Sequence, residues 1–248
     1  SDLRIVLIGK NGSENSRVGN TILHTKAFDS DVPSSYLQQH SERISGAVEG
    51  RHITVINTHL LQPNLSYYQI KDGVRECVSL SAPGPHVIAL ILQYNDFREN
   101  DSKTVKYVLN RFSKQAMKHT IVLTTDEQTL RYIFTRNNTI QNLIKECGGG
   151  HLQFDTRNPG WRSEMFRRTE KILKEEHEEF LICNIYEDGG SRFRALLRGD
   201  NKEKEDSDLK ESTTTLRDGG VLYYFLDFIF CKVKQSDAAQ LLEFMLEY

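Results

Sequence analysis

The stretch IVLIGKNGSENSRVGNTIL, Ile5–Leu23, passes from an apolar strand pattern through a glycine turn into the periodicity of a short helix. Strand, glycine-rich turn and helix are the setting of a phosphate-binding loop with the consensus GxxxxGK[ST]. Gly9 and Ser16 match this consensus, but Glu14 and Asn15 stand where its second glycine and its lysine belong. The stretch therefore indicates either a nucleotide site without its usual chemistry or a turn kept for packing.

Strand and helix patterns alternate through the rest of the first 160 residues. Short apolar runs predict strands, and apolar residues three and four apart predict helices. The predicted strands are 3–8, 52–58, 87–94, 120–125 and 151–154, and the predicted helices start at 17, 69, 105 and 133. This order is typical of an α/β fold, a doubly wound, mostly parallel sheet with helices on both faces. Ligands of such sheets bind at the carboxyl ends of the strands.

The C-terminal third of the chain departs from this alternation. A charged segment with one apolar stripe predicts a long surface helix over about 161–183, which closes a domain spanning 1–190. Residues 191–220 read as a charged linker, and 221–248 as an apolar extension. The apolar block is too short to span a bilayer and contains Asp227, so we expect it to dock on the domain or on a second copy.

Composition narrows the classes of partner. The net charge is −2, with 32 basic and 34 acidic residues, and this balance does not favour nucleic acid. The four cysteines lack CxxC spacing, which indicates reduced thiols in a cytoplasmic protein. No apolar run is long enough to cross a membrane, and the charged start SDLR is not a signal peptide. Contact with a membrane surface remains an expectation, but a transmembrane span does not.

Several segments together resemble the GIMAP family, the GTPases of immunity-associated proteins. These segments are IVLIGKNGSENSRVGNTIL, SLSAPGPHVIALILQYNDFRENDSKTVKYVLNRF, AMKHTIVLTT and LIKECGGG. The resemblance runs in order from Leu3 to about Cys183, and the box SAPGPHVIALILQ is its most specific part. It implies a G domain that binds GTP with Mg²⁺ and often assembles through its switch regions near membranes.

The resemblance also assigns roles to residues of the phosphate loop and of the second switch. The family lysine falls on Asn15 and the preceding glycine on Glu14, while Ser16 is retained and could offer its hydroxyl to Mg²⁺. The second switch begins at Asn57, where the family has the aspartate that holds the water of magnesium. The switch glycine that meets the γ-phosphate falls on Leu60.

Two further family positions also differ from the pattern. The switch I threonine aligns near Tyr36. In the motif that reads guanine, Thr125 is kept, whereas Gln128 replaces the aspartate. The nucleotide-binding positions to be tested are therefore Gly9, Gly12, Ser13, Glu14, Asn15, Ser16, Asn57, Leu60, Thr125 and Gln128, with Ser16 the one candidate metal ligand and with no catalytic residue.

These replacements together predict a pseudo-GTPase without a cofactor. A missing charge-assisted hydrogen bond costs about 1.5 to 3 kcal/mol, and a carboxylate at Glu14 would repel phosphate charge. Gly12, Ser13 and Ser16 could still hold a weakly bound anion at a helix N-terminus. We therefore predict an interaction or assembly module with a protein partner or a second copy, through the surface of its switch segments or its C-terminal tail.

Two alternatives stay open at the level of sequence. The first is an atypical GTP-binding enzyme that holds GTP or GDP with Mg²⁺, in which Lys10 or Arg17 replaces the missing lysine. The second is a peripheral membrane scaffold, with Cys231 as a candidate for acylation in an apolar, partly basic setting.

Overall fold

The structure is a computed structural model that describes residues 2–28, 41–126, 138–158 and 160–184. One sheet has the strand order β2-β3-β1-β4-β5-β6. Its strands are β1 Asp2–Gly9, β2 Ser41–Val48, β3 Arg51–Thr58, β4 Val87–Leu92, β5 Thr120–Thr124 and β6 His151–Gln153. The helices are α1 Gly12–Leu23, α2 Tyr67–Leu80, α3 Glu99–Phe112, α4 Asn138–Glu146 and α5 Gly160–Glu176.

All neighbouring strands of the sheet are parallel except β2, which runs antiparallel to β3. Every residue of β4 and β5 is buried, as expected for central strands covered on both faces. The predicted doubly wound, mostly parallel α/β fold is confirmed. It places the carboxyl ends of β1, β3 and β4 side by side at the edge where the phosphate loop lies.

The first helix begins earlier than its apolar periodicity predicts. The pattern indicates a start at Arg17, but α1 starts at Gly12, directly behind the N-cap Asn11. The first turn of α1 is polar, so apolar periodicity alone does not reveal it.

The edge strand β2 was not predicted, because residues 29–45 are polar and weakly patterned. Only Ser41 and Val48 of its eight residues are buried, so it lacks the continuous apolar run by which the central strands are recognised. The turn from β2 to β3 consists of Glu49 and Gly50, both with positive φ, 52° and 75°. Two such residues fit the twist of a tight hairpin, so the turn fixes the pairing of β2.

The helix predicted over 161–183 is the 17-residue α5, which ends at Glu176. It buries Trp161, Met165 and Ile172 against the sheet, each no more than 5% exposed. The helix stops where His177 takes a left-handed φ of 55°. Residues up to Cys183 then follow as a non-helical segment.

This segment lies along the amino ends of the strands. There the N–H of Leu181 donates to the carbonyl oxygen of Pro85 at 2.8 Å. The Arg4 guanidinium donates through Nε to the carbonyl oxygen of Gly84 at 2.7 Å, and its cation lies 5.7 Å from the centre of the Phe180 ring. The loop Ser81–His86, which is the start of the family box, therefore binds the segment that follows α5.

Several sequence predictions lie outside the described residues. These are the roles of Tyr36 and Gln128, the linker 191–220, the extension 221–248 and the acylation of Cys231. Within the described ranges, no helix combines the length and the apolar character that a membrane crossing requires.

Candidate functional site

The loop at the end of β1 is short and internally bonded. Only Lys10 and Asn11 separate β1 from α1. The Asn11 side-chain oxygen accepts hydrogen bonds from the backbone N–H groups of Ser13 at 3.1 Å and of Glu14 at 3.3 Å. Phosphate loops use such N–H groups at a helix start to hold an anion. Here Asn11 already occupies both donors.

The side chain at the lysine position is directed inward. Asn15 has no exposed surface, and its Nδ2 donates to the carbonyl oxygen of Thr58 at 3.2 Å, with Gly9 O at 3.5 Å. A β-carbon added to Gly9 would lie 2.0 Å from Asn15 Oδ1, which shows how tightly the amide packs on this glycine. Asn15 thus links the ends of β1 and β3 and presents no group to solvent.

The pair at the magnesium position is also buried. Ser16 and Asn57 are 2% and 1% exposed, and Asn57 Nδ2 lies 3.5 Å from Ser16 Oγ. The amide oxygens of Asn57 and Asn15 lack a hydrogen-bond partner among the described residues. Hydroxyl and amide groups are weaker ligands for Mg²⁺ than a carboxylate, so this pair lacks the negative charge that the family aspartate supplies.

His59 and Leu60, further along the second switch, pack against the protein and cover the phosphate loop rather than leaving it open. A β-carbon on Gly12 would lie 3.6 Å from His59 Cε1, so the imidazole ring rests against the first turn of α1. Leu60, at the position of the family glycine, is completely buried. Its side chain has become part of the protein interior.

The basic side chains near the loop are bound by carboxylates. Lys10 Nζ lies 3.1 Å from Asp96 Oδ1 and 3.3 Å from Asp101 Oδ2, and it also donates to the Asp96 carbonyl oxygen. Partial burial acts to lower the pKa of Lys10, but the hydrogen bonds to Asp96 and Asp101 outweigh burial and raise it. Arg17 Nη2 lies 2.6 Å from Glu14 Oε2, and its cation lies 4.8 Å from the centre of the Phe154 ring.

The loops at the base-reading position are tied to each other. The Asp126 carboxylate accepts hydrogen bonds from the backbone N–H groups of Tyr94 at 2.7 Å and of Asn95 at 3.1 Å. Gln153 Nε2 donates to the carbonyl oxygens of Thr124 and Asp126. The retained Thr125 has a buried hydroxyl without a hydrogen-bond partner among the described residues. The Asp126 carboxylate therefore holds the loop that follows β4.

The space above the ends of β1 and β4 is small. The cavity between Lys10, Asn11, Glu14 and Gln93 has a volume of about 10 Å³, close to that of one water probe. A wider open depression of about 1080 Å³ runs along α1 from Ser13 to Phe28.

Sequence reasoning missed the roles of Asn11 and Asp126. Asn11 carries a detectable signal, since an asparagine directly before a polar first turn is a common N-cap. Asp126 carries none, because its partners are backbone groups 31 and 32 residues away. Of the predicted positions, the structure brings Gly9, Asn15, Ser16 and Asn57 together at one edge.

A strand ending at a glycine turn, a helix beginning two residues later, and a parallel sheet around them define a G-type domain of the P-loop nucleotide-binding class. The model of the AIG1 family matches residues 3–195. The chain belongs to the AIG1 family, in agreement with the resemblance to GTPases of immunity-associated proteins.

Relatives in this family come from animals and plants. GTPase IMAP family member 8 from Mus musculus is 29% identical over 154 residues, and the rat protein of that name is 32% identical over 146. These matches cover 60% and 58% of this chain, but 22% and 20% of the relatives. Immune-associated nucleotide-binding protein 10 from Arabidopsis thaliana is 27% identical over 222 residues, which is 84% of this chain and 46% of the relative.

Solved G domains are similar at lower identity. Toc33 from Arabidopsis thaliana matches with a TM-score of 0.46 and 14% identity, over 69% of this chain and 68% of Toc33. Era from Aquifex aeolicus matches with a TM-score of 0.47 and 13% identity, over 68% of this chain and 56% of Era.

Proposed function

We propose that this AIG1-family domain is a pseudo-GTPase, which does not bind GTP tightly or hydrolyse it and acts as an interaction or assembly module. One observation carries the proposal: the groups that would hold phosphate are engaged within the protein. Asn11 takes the N–H groups at the start of α1, and the amide of Asn15 bonds inward at the lysine position.

The residues of the loop do not fit a magnesium-bound triphosphate. Without the lysine, a charge-assisted hydrogen bond worth about 1.5 to 3 kcal/mol is missing. Lys10 and Arg17 are no ready substitutes, because each would first have to leave a carboxylate. The pairing of Glu14 with Arg17 weakens its repulsion of phosphate, so the absent cation is the larger effect.

Isothermal titration calorimetry with GTP and GDP in the presence of Mg²⁺ tests the nucleotide part of the proposal. We expect a Kd no tighter than about 1 mM, a binding free energy of about −4 kcal/mol. Mass spectrometry of the purified protein should show no co-purifying guanine nucleotide. Micromolar binding with turnover would instead establish an atypical GTPase, the activity that the name of GTPase IMAP family member 8 states for that relative.

A restored loop gives a sharper test. The variant Glu14→Gly/Asn15→Lys/Asn57→Asp/Leu60→Gly returns the family letters to the site. If these letters account for the loss, the variant binds GTP at least about tenfold more tightly than the parent, a gain of about 1.4 kcal/mol. The control Glu99→Gly/Asn100→Lys makes the first two of these changes in the exposed first turn of α3 and should leave GTP binding unchanged.

The module part of the proposal is tested by sedimentation of the full chain with and without GTP. Assembly or partner binding that does not depend on nucleotide supports an interaction module. Flotation with anionic liposomes distinguishes the peripheral scaffold, because only that reading predicts that the protein rises with the vesicles.

A further inference from the structure

Helices α2 and α3 carry an exposed aromatic surface, here called the tyrosine face, which comprises Tyr67, Tyr68, Lys71, Tyr107 and Arg111. Tyr67 and Tyr68 open α2 and are 75% and 61% exposed. They are the large apolar side chains that stand out to solvent in the part of the chain that the structure describes. Neither tyrosine takes part in the contacts described for the phosphate loop.

The tyrosine face is ordered by its own contacts. The rings of Tyr67 and Tyr107 meet edge to face, with centroids 5.0 Å apart and an interplanar angle of 64°. The Arg111 cation lies 5.4 Å from the centre of the Tyr107 ring. Because Tyr67, Tyr107 and Arg111 already hold one another, these three side chains lose less conformational entropy when a partner binds. Tyrosine and arginine are also the residues most often found at the centres of interfaces.

The charge of this face is positive. Lys71 lies one helical turn after Tyr67, and neither Lys71 nor Arg111 has a carboxylate partner among the described residues. The acidic side chains of the same helices are engaged elsewhere. Asp72 pairs with Arg75, Glu99 with Lys103, and Glu76 accepts from the backbone N–H of Ser41.

We propose that the tyrosine face docks an acidic, partly apolar segment of another protein. The proposal rests on the proposed role as an interaction module and names its partner chemistry. Carboxylates of the segment would neutralise Lys71 and Arg111, and its apolar side chains would pack on the rings of Tyr67 and Tyr68. A nucleic acid fits less well, since its backbone requires a track of cations and this face offers two unpaired ones.

The test uses a fluorescein-labelled peptide in which glutamate alternates with leucine, and measures its anisotropy on the full chain. We expect saturable binding that weakens as salt is added. Tyr67→Ala/Tyr68→Ala should weaken binding about tenfold, whereas Tyr67→Phe/Tyr68→Phe should retain most of it because the rings remain. Arg111→Gln should weaken binding about threefold to tenfold, and the exposed Lys174→Gln on α5 is the matched control without effect.

Every outcome of this experiment decides the proposal. No binding, equal binding by the Tyr67→Ala/Tyr68→Ala variant, or equal binding of a peptide with glutamine in place of glutamate would overturn it. Tighter binding of polyuridylate or of anionic vesicles through the same residues would reassign the face to another class of partner and also overturn it. Failure here leaves the GTP titration untouched, so it is distinguishable from failure of the pseudo-GTPase proposal.

Discussion

The family motifs at the carboxyl ends of the strands and at the amino ends of the strands, here called the carboxyl edge and the amino edge, serve different purposes. At the carboxyl ends of the strands, the phosphate loop has its strand, turn and helix, but Glu14, Asn15 and Asn57 stand where the GIMAP resemblance assigns a glycine, a lysine and an aspartate. At the amino edge, the family box is kept as Ser81–His86, and its backbone bonds directly to the segment after α5. At the carboxyl ends the polar groups bond to one another, whereas at the amino ends the loop holds a separate segment of the chain.

A residue can be fixed either by how the protein packs around it or by a ligand that it binds. At Gly84, any side chain would meet the backbone of Leu181, so the letter is fixed by the fold itself. At the positions that the resemblance assigns to a lysine and an aspartate, Asn15 and Asn57 bond within the protein.

Gly84→Ala should produce the largest loss of stability. The added β-carbon would lie 2.3 Å from the carbonyl oxygen of Leu181 and 2.9 Å from a ring carbon of Phe180. Backbone cannot move aside as a flexible side chain does, so we expect the free energy of unfolding to fall by about 3 kcal/mol. Urea denaturation of parent and variant measures this difference.

The control for this substitution is Gly46→Ala in the edge strand β2. A β-carbon there would meet only Leu23 Cδ2, at an ordinary contact distance of 3.7 Å. We expect a change within about 0.5 kcal/mol. Equal losses of unfolding free energy in Gly84→Ala and Gly46→Ala would mean that close packing against Leu181 does not require glycine at position 84.

Asn15→Lys tests the opposite edge by returning a family letter alone. The lysine would lose the bond to the Thr58 carbonyl and would place an ammonium group in a fully buried position. We expect a loss of about 2 kcal/mol in the free energy of unfolding, measured with urea. A neutral result, accompanied by stabilisation on adding GTP with Mg²⁺, would show that the loop still opens for a nucleotide.

The fold could be predicted from the sequence because its signals are local. Continuous apolar runs such as Val87–Leu92 mark buried strands, and breakers such as Ser81–His86 mark where helices stop. The edge strand β2 escaped prediction because it is largely polar and has no continuous apolar run. Its pairing is set instead by the turn at Glu49 and Gly50, a signal carried by two residues.

The candidate site could be located from the sequence, but its internal bonding could not. The motif order places Gly9, Asn15 and Asn57 at one edge, and the structure brings them together there. That Asn15 bonds to Thr58, or that Asp126 holds the N–H of Tyr94, depends on contacts across 43 and 32 residues. Sequence spacing does not report such contacts, because side-chain direction depends on the assembled sheet.

Acidification should lower the free energy of unfolding through protonation of His86, which lies near the amino ends of the strands. Burial, assisted by the positive charge of Arg4 and opposed by Asp2, lowers the pKa of His86 from 6.5 to about 4. Its Nδ1 accepts the backbone N–H of Arg4 at 2.8 Å, and a proton on this nitrogen would break that bond. Between these two pH values the unfolded chain binds more protons, so stability falls as the pH is lowered from 6.5 to about 4.

The expected loss from His86 is about 1 to 2 kcal/mol after allowance for its partial exposure. Urea denaturation across this pH range measures it, with His86→Asn as the comparison, because asparagine keeps an acceptor for Arg4 but does not titrate. The pKa of His151 is also lowered, by burial and by Arg168, and contributes in the same direction in both proteins. An unchanged slope in His86→Asn would contradict the assignment to His86.

The smallest effect is expected from Asn11→Ala at the start of α1. Loss of this N-cap should lower the free energy of unfolding by about 1 kcal/mol, as should Ser66→Ala at the capping box of α2. The two variants should differ in their response to sulfate. Freed N–H groups of Ser13 and Glu14 should let sulfate stabilise Asn11→Ala more than the parent, beyond the general salt effect seen in Ser66→Ala. If sulfate stabilises the parent as much as Asn11→Ala in thermal melts, Asn11 is not what closes the carboxyl edge to anions.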